Sequence, residues 1–488
     1  MWIALVLGFT AFRPPPTEGP WARDFEAYYA AGATVNAGGD PYSRRVWRVE
    51  RTIRGVDASR DELLPFVGPA ASLPLWSLLA RLPHATALLV WLAVLGVAFV
   101  MLVVAALTIA RAPRDPRLFA AACGFAFASG PSISSIALGQ AALVSAAALA
   151  LALACYRSRR AAGAVAATLL AALQPNLALT LLARMRSRWD VAVAATAALL
   201  FTILTVAAGG GIGGILAYAG RLTAHYGAER FIAIQHTPTA IAYALGAAPP
   251  AALAFGALVS ACAVAVALAT IARARLDPTS ATLLTFTLFP FAVPFFHEHD
   301  FVLELVPAIV LAAVARGAAR RVASIASVLV LVDWFGFAQR VAAEGQIVCL
   351  GVALACAFVA MTPAARGESR ASIAGLATLV VLMAVLVPLA HAHAAPTWPD
   401  ALPAHFRAPG TADASGVWGD EQRAAGLEAR DAVWALLRAL PLGGCALLAA
   451  ATVLDARRRA RERRLFGNAG FRRPYPMPRP AAPSTTTV

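Results

Sequence analysis

Three stretches of this chain carry most of its reactive side chains. Residues 22–47, ARDFEAYYAAGATVNAGGDPYSRRVW, hold Asp24, Glu26, Tyr28, Tyr29, a Gly-Gly-Asp-Pro-Tyr turn and three arginines. In a helix Asp24 and Tyr28 share a face at i, i+4. A carboxylate there, partly removed from water, could act as a general base near neutral pH. A cap on a helix beginning at Phe25 accounts for Asp24 equally well, and an interfacial aromatic belt accounts for the tyrosines. The second stretch is His297-Glu298-His299-Asp300, at the end of an apolar run. Two imidazoles and a carboxylate could hold a divalent metal, although HxH on a short turn is a weak signal without further ligands, and His391 and His393 open a different loop. Alternatively His299 donates to a phosphate while Glu298 sets its tautomer. A solvated turn between helices is the plainer reading. The third stretch, 208–249, mixes Tyr218, Arg221, His225, Tyr226, Arg230, Gln235 and His236, a set suited to an anionic head group and a sugar, or to an ordinary interfacial loop.

These residues sit in a chain that is mostly hydrocarbon. Of its 488 residues 60% are hydrophobic and 14% charged, and the mean hydropathy is +0.69. Repeated apolar runs separated by short Arg-rich breaks specify an all-α polytopic membrane protein. The net charge of +15 comes from arginines clustered beside those runs, so it points to orientation in a bilayer and not to nucleic acid. The six cysteines lie in or beside apolar runs, with no CxxC pair, and read as small buried hydrophobes. No cofactor is implied: there is no G-x-x-x-x-G-K-[ST] and no G-x-G-x-x-G, and the glycines between 209 and 214 lack the lysine. Residues 1–12 lack the basic start and cleavage site of a signal peptide. They are also too short to span, as a clipped first helix would be.

Placing the basic clusters in the cytoplasm threads the chain. Residues 1–12 run outward and 13–62 form an external loop. Spans follow at 85–110, 119–132, 135–155, 191–207, 251–272, 281–296, 301–315, 322–337, 347–361, 373–390 and 435–454. The run at 161–182 is flanked by basic clusters at both ends and interrupted at Gln174-Pro175-Asn176. Proline breaks the helix there, so the run is expected to be a re-entrant hairpin, with a kinked span as the alternative. The expectation is about twelve transmembrane helices plus one re-entrant hairpin over 1–464, both termini cytoplasmic, and a disordered cytoplasmic tail at 465–488. In that threading all three reactive stretches emerge on the external face, against the membrane.

The order of several motifs resembles glycosyltransferase family 87. Asp24 with YYAAG and GGDPY resembles the family's start, and LPLWSLLARLPHATALLVW (73–91) its second hydrophobic block. ALGQAALVSAAALALAL and AAGAVAATLLAALQPNLAL resemble its Gly-Gln helix and following hairpin, and PFFHEHDF (294–301) its Pro-x-x-x-x-His turn, with the match at His299. The resemblance runs from about residue 24 to 315. It implies a GT-C-like fold in a bacterial plasma membrane and a polyprenyl-phosphate sugar donor. The transfer implied is an inverting displacement delivering a hexose, mannose favoured over arabinofuranose, to a glycolipid or cell-envelope glycan on the extracytoplasmic face. Asp24 matches the family's catalytic aspartate. His299, with Arg230 or Arg23, would stabilise the departing phosphate, and Tyr28, Tyr29, His297 and Glu298 would contact substrate. The chain departs from the family pattern at Phe66-Val67-Gly68-Pro69, where Tyr-Pro-Pro is usual, and at Gln174, where lysine precedes the proline. A transporter or lipid flippase is the competing class. It would require paired broken helices and ionisable groups at mid-bilayer, for which Asp333 is the main candidate. A metal-dependent hydrolase centred on His297 and His299 is the third.

Overall fold

The computed structural model describes residues 22–112, 115–339, 369–410 and 412–467. Every regular element among them is an α- or 3-10 helix. Six helices are long and apolar enough to cross a membrane: His84–Ala110, Arg188–Gly209, Pro249–Arg273, Gly317–Gln339, Ile373–Ala392 and Ala432–Glu462. Each coincides with an expected span. Their outward faces are lined by exposed Leu89, Val97, Leu199, Leu258, Leu268 and Val381, a surface that suits lipid and not water. The protein is therefore an integral membrane protein.

The remaining expected spans divide into two groups. Residues 1–12, 347–361 and the tail beyond 467 lie outside the described residues. The others are shorter than a bilayer requires: Leu118–Phe127 and Gly130–Leu138 form a pair bent by 67°, and Ala142–Arg157, Pro278–Ala292 and Leu305–Val314 have 16, 15 and 10 residues. Twelve full spans are thus not reached among the described residues; counting the bent pair as one gives up to seven. Broken, short helices are stable in a membrane protein only where neighbours satisfy their ends. The Ala142–Arg157 helix meets that condition, being buried on nearly every side. It packs between His84–Ala110 and Ala161–Ala171, where alanines let backbones approach closely. The run at 161–182 does break at Gln174, into Ala161–Ala171, Pro175–Ala178 and a 3-10 turn, Leu179–Arg184.

Two glycines set the helix that carries Asp24. A Cβ on Gly32 would lie 2.2 Å from the Trp76 carbonyl oxygen, so only glycine lets Arg23–Asn36 lie against Leu73–Leu79. Gly139, at φ +70°, ends the Gly130–Leu138 helix in the left-handed conformation. Its Cβ would meet the Phe25 Cβ at 2.8 Å, and its carbonyl accepts a hydrogen bond from Trp91 Nε1 at 2.7 Å. The stretch at 208–249, expected as a loop, is mostly helical, with Ile212–Glu229 and Pro238–Ala244.

Candidate active site

Asp24 does not cap its helix. The helix begins at Arg23 with Ala22 at the cap position, and Asp24 lies in the first turn. There its Oδ2 accepts a hydrogen bond from Gln140 Nε2 at 3.0 Å. Gln140 Oε1 accepts from the Tyr28 hydroxyl and from the Ala141 N–H, which fixes which end of the amide faces the carboxylate. Tyr28 stacks on Trp76 with ring centroids 4.5 Å apart, so the i, i+4 pair of Asp24 and Tyr28 closes on a single glutamine. Burial pushes the Asp24 carboxyl up to about 7, against the opposing pull of His297 and Gln140.

The turn at 297–300 lies within electrostatic reach of Asp24. Asp300 Oδ2 accepts from the His297 backbone N–H at 2.9 Å, and Oδ1 accepts from Gln174 Nε2 at 3.3 Å. Gln174 therefore brings the broken run to this turn. His299 Nε2 stands 3.8 Å from Asp300 Oδ1, and the Ser135 hydroxyl donates to the His299 carbonyl at 3.2 Å. His297 Nε2 lies 3.2 Å from Glu229 Oε2. Glu229 also accepts from Gln235 Nε2 at 2.7 Å and from Trp418 Nε1, with His225 Nε2 3.5 Å away.

The two histidines of the turn are pushed in opposite directions. Burial disfavours a charge on His297, but Glu229, and behind it Asp300 and Asp24, outweigh burial and raise it above the ordinary histidine value. His299 is pushed well below that value by burial, reinforced by the neighbouring His297. Burial likewise opposes ionisation of Glu229, yet His225 and His297 overcome it and hold the carboxyl at about 2. The site thus sets a desolvated carboxyl at Asp24 against a histidine, His297, whose carboxylate neighbours favour its charged form.

The other expected site residues go elsewhere. Arg23 bonds to Glu26 at 3.1 Å and to Glu62, with its guanidinium 4.7 Å from the Trp398 ring centroid. Tyr29 donates to the Leu82 carbonyl at 3.0 Å and packs on His84, away from Asp24. Glu298 faces His236 at 3.6 Å. Arg230 lies over Phe231. The Gly-Gly-Asp-Pro-Tyr turn is structural: Asp40 takes a two-point bond from Arg221, at 2.9 and 2.8 Å, and Tyr42 donates to the Gly68 carbonyl at 2.9 Å. That turn fastens the first loop to the helix bearing Glu229. One ligand atom each of His297, His299 and Asp300 lie within 4.8 Å of one another, a spacing a divalent cation could bridge. Both Asp300 oxygens and His297 Nε2 already bond within the protein.

The sequence model of glycosyltransferase family 87 matches residues 66–296. Over those residues, just under half of the chain, the sequence is similar to family 87. No curated protein and no solved structure matches it. Family 87 is a glycosyltransferase family, and the match indicates a membrane glycosyltransferase, a class of enzyme with donor and acceptor substrates. The matched segment contains Gln140, Gln174, Glu229 and Gln235 and ends beside His297, while Asp24 and Trp418 lie outside it. Glu229 escaped sequence reasoning although a signal was present: it is the one acidic residue between 208 and 249, four residues after His225. Gln140 stood inside a quoted motif without a role, and Trp418 had no local signal at all.

Proposed function

We propose that the protein transfers a hexose, mannose favoured, from a polyprenyl-phosphate donor to a glycolipid or cell-envelope glycan at the extracytoplasmic surface. The observation that supports this reading best is the opposition of Asp24 and His297 in one buried site. Asp24, as carboxylate, takes the proton of an acceptor hydroxyl. The freed oxygen lone pair attacks the anomeric carbon from the face opposite the phosphate. The bond between anomeric carbon and phosphate oxygen breaks, and its electron pair leaves on polyprenyl phosphate, with inversion. That leaving group departs already ionised, so it needs positive charge and hydrogen-bond donors more than a proton. His297 supplies the charge, and His299, neutral and buried beside it, supplies a donor. Tyr28 holds Gln140, and Gln140 aims Asp24. The clustering of the site against short, broken helices suits a substrate whose lipid tail stays in the bilayer.

The test is transfer from labelled polyprenyl-phosphate sugars by membranes containing the wild-type protein or Asp24→Asn. Inverted product from wild type, and none from the variant, is expected. An unchanged rate in Asp24→Asn would remove the assigned base, and no transfer from any such donor would remove the donor class.

A further inference from the structure

We propose that Glu229 is a positioning residue for the phosphate-side imidazole, fixing the orientation of His297, and that Trp418 in turn sets Glu229. The role rests on the donor-phosphate reading of His297 given above. Glu229 closes the Ile212–Glu229 helix and is 2% exposed. Its two oxygens receive side chains from three other parts of the fold: His297 on the 297–300 turn, Gln235 on the connection before Pro238, and Trp418 on the Ala414–Ala424 helix. Gln235 Oε1 is occupied by the Phe296 N–H at 2.9 Å, so its Nε2 must be the donor toward Glu229. Gln235 Nε2 and His297 Nε2 converge on the same Glu229 oxygen and lie 3.1 Å apart, and a carboxylate oxygen facing a ring nitrogen calls for a proton on that nitrogen. His297 therefore carries a proton on Nε2, directed at Glu229.

A carboxylate so fully engaged has no free lone pair to offer substrate, and burial makes it costly unless each donor stays in place. It acts through the ring of His297, favouring its protonated form and holding it in one plane, as a carboxylate behind a functional histidine does. Trp418 extends the arrangement. Its ring meets Trp398 edge-on with centroids 4.8 Å apart, and Trp398 packs under Arg23, the neighbour of Asp24. Trp398 Nε1 donates to Glu421 Oε2 at 3.0 Å, and Glu421 Oε1 accepts from the Leu63 N–H at 2.7 Å. The segment from Trp398 to Glu421, beyond the family-matched residues, so links the base side of the site to its phosphate side.

The experiment is a double-mutant cycle on transfer from a labelled polyprenyl-phosphate sugar, using the full chain in detergent or liposomes. Glu229→Gln keeps the shape and removes the charge; it should lower transfer roughly 10- to 100-fold, with Trp418→Phe lowering it about 10-fold. In a His297→Gln background both losses should shrink to less than about threefold, because the residue they act through is gone. Additive losses, or no loss in Glu229→Gln, would overturn the role. Should Glu229→Gln unfold, as seen by thermal melting, Trp418→Phe carries the same cycle. Transfer by wild type with additive losses refutes only this inference, whereas a wild-type protein inert on every such donor refutes the reading beneath it as well.

Discussion

Gln140 Nε2 donates to Asp24 Oδ2 across 3.0 Å while the other end of the amide is held by the Tyr28 hydroxyl and the Ala141 N–H. Gln140 stabilises the ionised form of Asp24, since hydrogen bonds to a carboxylate favour its charge. Removing the donor leaves burial unopposed on that side. Gln140→Leu should move the acid limb of the pH–rate profile to higher pH and lower transfer about 10-fold at neutral pH. An unmoved limb would show that Gln140 does not govern the base.

Asp24→Asn should abolish transfer while stabilising the fold. A carboxyl raised to about 7 binds its proton more tightly folded than unfolded, so its contribution is fully present below the unfolded value near 3.8 and lost as pH rises through 7. At pH 8 the native protein carries that deficit, and asparagine removes it while still accepting the Gln140 bond. Thermal unfolding at pH 8 should show Asp24→Asn above wild type by roughly 2–4 kcal/mol, shrinking at pH 5. Equal melting temperatures at pH 8 would contradict the burial of a charge at Asp24.

The pH dependence of wild-type transfer should be bell-shaped. On the acid side activity falls below about 7 as Asp24 takes up its proton. On the alkaline side it falls above the raised His297 value as the imidazolium is lost. A profile flat from pH 5 to 9, measured with donor well below saturation, would refute both assignments.

Gly139→Ala should fail for two reasons at once. The residue sits at φ +70°, and a Cβ would press on Phe25 and Ala22 at 2.8 and 2.9 Å. A stability loss of about 1–3 kcal/mol is expected. Surviving folded protein should have weak transfer, since the same shift withdraws Gln140 from Asp24. Full activity in a melted-down variant would separate the glycine from the site.

Arg23→Ala tests a structural assignment. Arg23 pairs with Glu26 and Glu62 at 8% exposure, and deleting it strands the buried Glu26 carboxylate, whereas Glu62 keeps Arg60 at 2.8 Å. The expected effect is a stability loss of about 3–5 kcal/mol with the donor KM of the remaining folded protein unchanged. A selective rise in KM would return Arg23 to the phosphate.

The pattern of hydrocarbon and arginine determined by itself that this is a helical membrane protein, because twenty apolar residues in water have no other stable outcome. It also located six spans and singled out Asp24 and the 297–300 turn, since charged and imidazole groups beside an apolar run stand out against their surroundings. Helix length was not legible in the same way. The 142–157 and 305–314 segments are as apolar as a span but end early, because breaks such as Gly139-Gln140 satisfy their backbone inside the protein. Nor could spacing show that Arg23 faces carboxylates or that Glu298 faces His236; a residue's partner depends on which helix arrives beside it. Only the tertiary structure decided that Gln140 meets Asp24, Gln174 meets Asp300, Glu229 meets His297 and Trp418 meets Glu229. Those contacts join residues 116, 126, 68 and 189 positions apart in pairs Asp24–Gln140, Gln174–Asp300, Glu229–His297 and Glu229–Trp418. Polar groups excluded from lipid must find one another, and the packing of the apolar helices determines which ones can.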